Sequence, residues 1–114
     1  MKNILVLISF LLFASSAVAQ SDIKTSTFKV EGNCSMCKKR IENAAYIKGV
    51  KRADWNEETH ILTVVYRTSK TDAQQIEHSI AKAGHTTENV EATEEDYKKL
   101  PECCQYKTNN CEHK

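Results

Sequence analysis

The feature that most limits this chain is a change of apolar period, from two residues to about 3.6, across Gly32-Asn33-Cys34-Ser35-Met36-Cys37. Thr27-Phe28-Lys29-Val30 alternates polar and apolar, as a half-buried strand does, whereas Ile41, Ala44, Ala45 and Ile47 follow helical spacing. A strand must therefore pass into a helix through a loop that carries two thiols. Unpaired backbone N–H groups and the positive end of the helix dipole favour thiolate over thiol there, and Lys38 and Lys39 act in the same sense. Such a pair can hold a soft metal ion or cycle as a disulfide.

The patterning extends the unit into a domain. Residues 26–31 read as a first strand, and the helix after Cys37 runs to about Lys48, where Gly49 ends it. Lys51 to Asn56 reads as a second strand with Ala53 and Trp55 on one face, followed by the polar turn Asn56-Glu57-Glu58-Thr59. Ile61 to Arg67 is a third strand, with Leu62, Val64 and Tyr66 opposite Ile61, Thr63 and Val65; Trp55 and Tyr66 are expected in the core. A second helix follows Ser69. Thr71 with Gln74 fits a capping box, Ile76, Ile80, Ala81 and Ala83 form the apolar stripe, and Gly84 closes it. A fourth strand is expected from His85 to about Glu91. The fold class implied is α+β: a ferredoxin-like βαββαβ sandwich, an antiparallel sheet with two helices on one face.

The C-x-x-C at Cys34 and Cys37 between first strand and helix, Gly49-Val50 after that helix and Ala83-Gly84 closing the second resemble heavy-metal-associated domains. These are the copper-chaperone and mercury-binding modules also found at the N-termini of metal-pumping P-type ATPases. The resemblance covers roughly residues 26–91. The usual motif of that family carries a Met two residues before the first Cys, packed under the loop; this chain has Gly32 there, and Met36 stands between the cysteines.

Lys2, the apolar run from Ile4 to Phe13 and Ala17-Val18-Ala19 match a cleaved secretory signal over residues 1–19. The expected organisation is therefore the signal, a heavy-metal-associated-like domain over 20–91, and a short helical, Cys-rich C-terminal tail over 92–114. A periplasmic or secreted location follows, with no membrane span left after cleavage. Without Lys2, fifteen basic side chains face fifteen acidic ones, which gives no electrostatic reason to bind nucleic acid.

The chemistry rests on Cys34 and Cys37. Two thiolates at this spacing suit Cu(I) first and Hg(II) similarly, while a structural Zn(II) site would want four ligands. The geometry of a split βαβ fold sets His85 beside the thiols as a candidate third ligand, against the alternative of an exposed loop histidine. His60 and His78 are expected to be solvated, and the Lys38-Lys39-Arg40 run reads as the wet side of a helix or a docking face.

Beyond Glu91, Thr93 caps a short helix with Asp96 in the capping-box position, ending at Leu100-Pro101. Cys103, Cys104, Cys111 and His113 follow. The chain is long enough for Cys103 and Cys104 to reach back to Cys34 and Cys37 and join the metal site; a disulfide tether or a disordered tail are the alternatives.

The leading expectation is an exported protein that binds a soft metal ion and chaperones, transfers or sequesters it, with a metal-transporting ATPase or efflux component as partner. No nucleophile–base pair, phosphate loop or catalytic carboxylate pair stands out, so a binding protein is expected and not an enzyme. The rival is a periplasmic thiol–disulfide exchange protein using Cys34 and Cys37.

Overall fold

The computed structural model describes residues 22–108. The expected signal segment, Cys111 and His113 lie outside the described residues.

Three strands make one antiparallel sheet. β1 (Ile23–Lys29) pairs with β3 (Ile61–Arg67) from Ile23↔Arg67 to Lys29↔Ile61, and β2 (Val50–Trp55) pairs along the other edge of β3, giving the order β1-β3-β2. Alternation along β3 places Leu62, Val64 and Tyr66 on the covered face, where all three are buried. Two helices lie on that face. α1 (Ser35–Ala45) buries Cys37, Ile41 and Ala45, and α2 (Ala73–Lys82) buries Ile76, Ile80 and Ala81. Trp55 and Tyr66 are core residues, as expected.

The elements differ from the sequence expectation at their ends. α1 starts at Ser35, so Cys34 is its N-cap and Cys37 lies inside the first turn. It stops at Ala45, and Tyr46 to Gly49 turns the chain into β2 through the positive φ of Gly49. The cap of α2 is Asp72 and not Thr71: the Asp72 carboxylate accepts the Gln75 N–H at 2.8 Å, while Thr71 is buried.

The fourth strand shrinks to one bridge, Val30↔Thr87. Hydrogen bonds from Glu31 N–H to the Thr86 carbonyl and from Glu88 N–H to the Lys29 carbonyl, both 2.8 Å, flank it. Past Thr87 the chain turns instead of extending. The Thr87 N–H donates to the Val90 carbonyl at 2.8 Å, and the buried Glu77 carboxylate accepts from the Asn89 backbone and side chain. The remnant still lies beside β1, where the ferredoxin-like order requires its fourth strand.

The C-terminal residues join the same core. Thr93 Oγ1 accepts the Asp96 N–H at 3.1 Å and caps α3 (Glu94–Lys98), as expected. After Pro101 a single 3-10 turn, Glu102–Cys104, follows. Tyr97, Leu100 and Cys104 are buried with the sheet and helix residues. Among the described residues no helix is long and apolar enough to cross a membrane.

Candidate metal centre

The loop leading to the cysteines is pinned at two consecutive carbonyls by buried ring nitrogens. Trp55 Nε1–H donates to the Val30 carbonyl at 3.1 Å, and His85 Nδ1 lies 2.8 Å from the Glu31 carbonyl. A carbonyl only accepts, so Nδ1 of His85 carries the proton. Gly32 comes next and is buried against Trp55 and Ile41, where a Cβ would stand 3.0 Å from the Trp55 ring and 3.0 Å from Ile41 Cδ1. The resemblance implied a Met packed under the loop from this position. In this chain the Trp55 indole, reaching across from β2, occupies that space.

From this floor the backbone rises into α1. Cys34 is extended at the N-cap, and its carbonyl accepts the Lys38 N–H at 2.9 Å, closing the first turn. Cys34 is partly exposed, whereas Cys37 is wholly buried on the inner face of that turn. Cys34 is disulfide-bonded, but not to its motif partner: Cys37, Cys103 and Cys104 all carry thiols.

The tail lies against this loop. Asn33 Nδ2 donates to the Cys103 carbonyl at 3.1 Å, and the Cys103 and Cys104 sulfurs are 4.0 Å apart. Cys104 is wholly buried, and its thiol pKa is pushed up by burial first, then by the adjacent Cys37 and Cys103 thiols. Tyr106 clamps the segment: its hydroxyl donates to the Gly84 carbonyl and accepts the Thr86 N–H, both at 3.0 Å. Four cysteines thus gather at the N-terminus of α1.

His85 is wholly buried, stacked on Tyr106 with ring centroids 5.8 Å apart. Burial lowers its pKa from the ordinary 6.5 to about 4; the Glu31 carbonyl opposes this and Arg40 adds to it. The imidazole is neutral near pH 7, and its Nε2 has no hydrogen-bond partner among the described residues. It is not the exposed loop histidine of the alternative reading. Among the described residues no three or more His, Cys, Asp or Glu side chains are arranged to hold a metal ion as they stand.

The basic run is not a free docking face. Lys38 Nζ donates to Glu42 at 2.6 Å, to Asp54 at 2.8 Å and to the Trp55 carbonyl at 2.8 Å, and the two carboxylates hold its pKa up. Arg40 reaches the Ala83 carbonyl at 3.3 Å, which leaves Lys39 as the exposed member. The charge expected to support the thiolates from Lys38 is thus matched by carboxylates. His78 is exposed as expected, while His60, at φ 62°, is partly buried and stacks on Trp55 at 5.3 Å.

Two residues of the site escape a reading by motif: Trp55, which floors the loop, and Tyr106, which fixes the tail. Both are aromatic residues with a polar tip that needs a buried partner, and that need is the signal a sequence offers.

No family model matches the sequence, and neither does any curated protein. Solved structures do. The chain is 33% identical to the CopZ metallochaperone, covering 56% of this chain and 98% of that one with a TM-score of 0.54. Oxidised MerP from Ralstonia metallidurans CH34 is 30% identical, over 57% of this chain and 93% of its own, with a TM-score of 0.54. A copper form of CopA from Bacillus subtilis is 30% identical, over 59% and 91%, with a TM-score of 0.51. Identity at this level over nearly the whole length of these small domains, with TM-scores above 0.5, places the chain in the heavy-metal-associated domain family.

Proposed function

We propose that this protein binds a soft metal ion, Cu(I) first and Hg(II) or Zn(II) after it, through Cys34 and Cys37, and passes it on or stores it. The observation that carries the reading is the seating of both cysteines on one helix terminus. Cys34 is partly exposed at the cap and Cys37 lies one turn inside, in a chain related to a metallochaperone. Two thiolates at a helix N-terminus satisfy an ion that accepts two soft ligands, and the dipole opposes loss of the second charge. Transfer proceeds by ligand exchange: an incoming thiol attacks at the exposed Cys34 side before Cys37 lets go. A homologous domain on a metal-transporting ATPase or an efflux component is the partner this chemistry suits. The reading also takes residues 1–19 as an export signal, which sets the exchange outside the cytoplasm.

A dithiol reductant must first open the Cys34 disulfide, since a bridged sulfur is not a thiolate ligand. The decisive experiment is a competition titration of reduced protein against a chromophoric Cu(I) chelator. The double variant Cys34→Ser/Cys37→Ser should lose high-affinity binding; unchanged affinity in it would refute the site.

The bridge supports a second reading, thiol–disulfide exchange, because a buried Cys37 thiol sits three positions from a bridged Cys34. Catalysed insulin reduction, abolished by Cys34→Ser, would establish that reading, and its absence would remove it.

A further inference from the structure

Cys37 has thiol neighbours on two sides. Along α1 it shares the first turn with Cys34; across the contact between α1 and the 3-10 turn it shares one buried cluster with Cys104. Cys37 and Cys104 are both wholly buried and both carry thiols, and the Cys103 sulfur lies 4.0 Å from that of Cys104. The segment that delivers Cys104 is held in place. Asn33 grips the Cys103 carbonyl, Tyr106 bonds Gly84 and Thr86, and Leu100 is buried in the core. A thiol carried into the interior by so many contacts, and set against the inner cysteine of a metal-binding motif, is preorganised as a ligand.

We propose that Cys37 and Cys104 form a second, internal two-thiolate site for a soft d10 ion, filled from the ion held by Cys34 and Cys37. The proposal rests on the metal-binding reading and adds where the ion goes next. Once a dithiol reductant has opened the Cys34 disulfide, the ion arrives at the partly exposed Cys34 with Cys37 as its other ligand. The Cys104 sulfur then attacks the ion, which accepts a third thiolate in passing. The metal–Cys34 bond breaks and a metal–Cys104 bond forms. The Cys104 proton passes to Cys34, and no electron is transferred. Cys37 remains bound throughout, so the ligand exchange proposed above between two proteins takes place here inside one chain. At the internal site both ligands are buried, and an incoming thiol has no open approach. The protein is thereby built to keep the ion.

The test uses the full chain, reduced, with the Cys34→Ser variant as starting point, because that change removes the outer pair. Cys34→Ser should still bind one Cu(I), with affinity within about tenfold of the unsubstituted protein, and adding Cys104→Ser should weaken it by about a hundredfold or more. Adding Cys103→Ser instead should leave it within a few-fold. Loss of binding in Cys34→Ser alone, with the reduced unsubstituted protein still binding, overturns the internal site and leaves the outer one standing. No binding by the reduced unsubstituted protein overturns both. Folding of each variant is read from Trp55 fluorescence. Should Cys104→Ser unfold, proton–silver correlation spectra of Ag(I)-loaded Cys34→Ser decide the matter without it. Couplings to the β-protons of Cys37 and Cys104 support the site; couplings to Cys103 in place of Cys104 overturn it.

Discussion

The indole of Trp55 lies directly beneath Gly32, so close that a Cβ at position 32 would sit 3.0 Å from its ring. Strand β2 thus supports the metal loop from below with a residue held at two points: the indole Nε1–H donates to the Val30 carbonyl and the backbone N–H to the Glu42 carboxylate. The family's Met under the loop would have no room here. The loop of this chain is supported from a neighbouring strand instead of from its own sequence.

Gly32→Ala should therefore overpack the site, costing about 1–3 kcal/mol of stability. Gly32→Met, which restores the family residue, should cost more. Urea denaturation followed by Trp55 emission measures this. A Gly32→Met protein as stable as the parent would show that the indole moves aside freely.

His85 makes stability depend on pH. Its pKa is about 4 folded against about 6.5 unfolded, so between these values the unfolded chain binds more protons and stability rises with pH. The full contribution is present above pH 6.5 and is lost as pH falls toward about 4, amounting to about 3 kcal/mol. Comparing the parent with His85→Gln isolates this from the carboxylates: the parent's stability should fall more steeply across that window. Parallel curves would show that His85 is not held neutral.

Tyr106→Phe removes one hydroxyl that donates to the Gly84 carbonyl and accepts the Thr86 N–H. The buried groups left behind should cost about 1–2 kcal/mol. Amide exchange should rise most at Thr86, because that N–H loses its acceptor. Protection unchanged at Thr86 would refute the clamp.

Alkylation of protein kept free of reductant should rank the cysteines by structure. Cys34 should not react, being disulfide-bonded; Cys103, partly exposed, should label first; and the buried Cys37 and Cys104 should label last. Adding reductant should open Cys34 to reagent. Peptide mapping reads each site, and rapid labelling of Cys104 would show that the 3-10 turn is not docked.

Much of the architecture was legible in the residue pattern. Ile61 to Arg67 is a run rich in β-branched and aromatic residues and is the central strand, paired on both sides with alternate side chains buried. The spacing of Ile76, Ile80 and Ala81 makes α2, and Thr93 makes the cap of α3. These features arise from periodicity and local hydrogen bonding, which a short stretch of chain carries within itself. The misplaced element ends have the same origin. Asp72 and Thr71 are adjacent cap formers, and which of them caps α2 depends on which one the packing buries.

The sequence by itself determined that two cysteines open a helix in a ferredoxin-like frame, because that follows from neighbours along the chain. Tertiary structure alone decided the rest of the site. Residues 85–91 became one bridge and a turn because Glu77, on α2, takes the Asn89 amides that a strand would have carried onward. Lys38 lost its place beside the thiols because Asp54, on β2, lies within reach of its ammonium. Cys104 met Cys37, 67 positions earlier in the numbering, because Tyr97, Leu100 and Tyr106 gain more by joining the core than by remaining in water. Contacts of that separation depend on the summed burial of many side chains, and no local pattern encodes them.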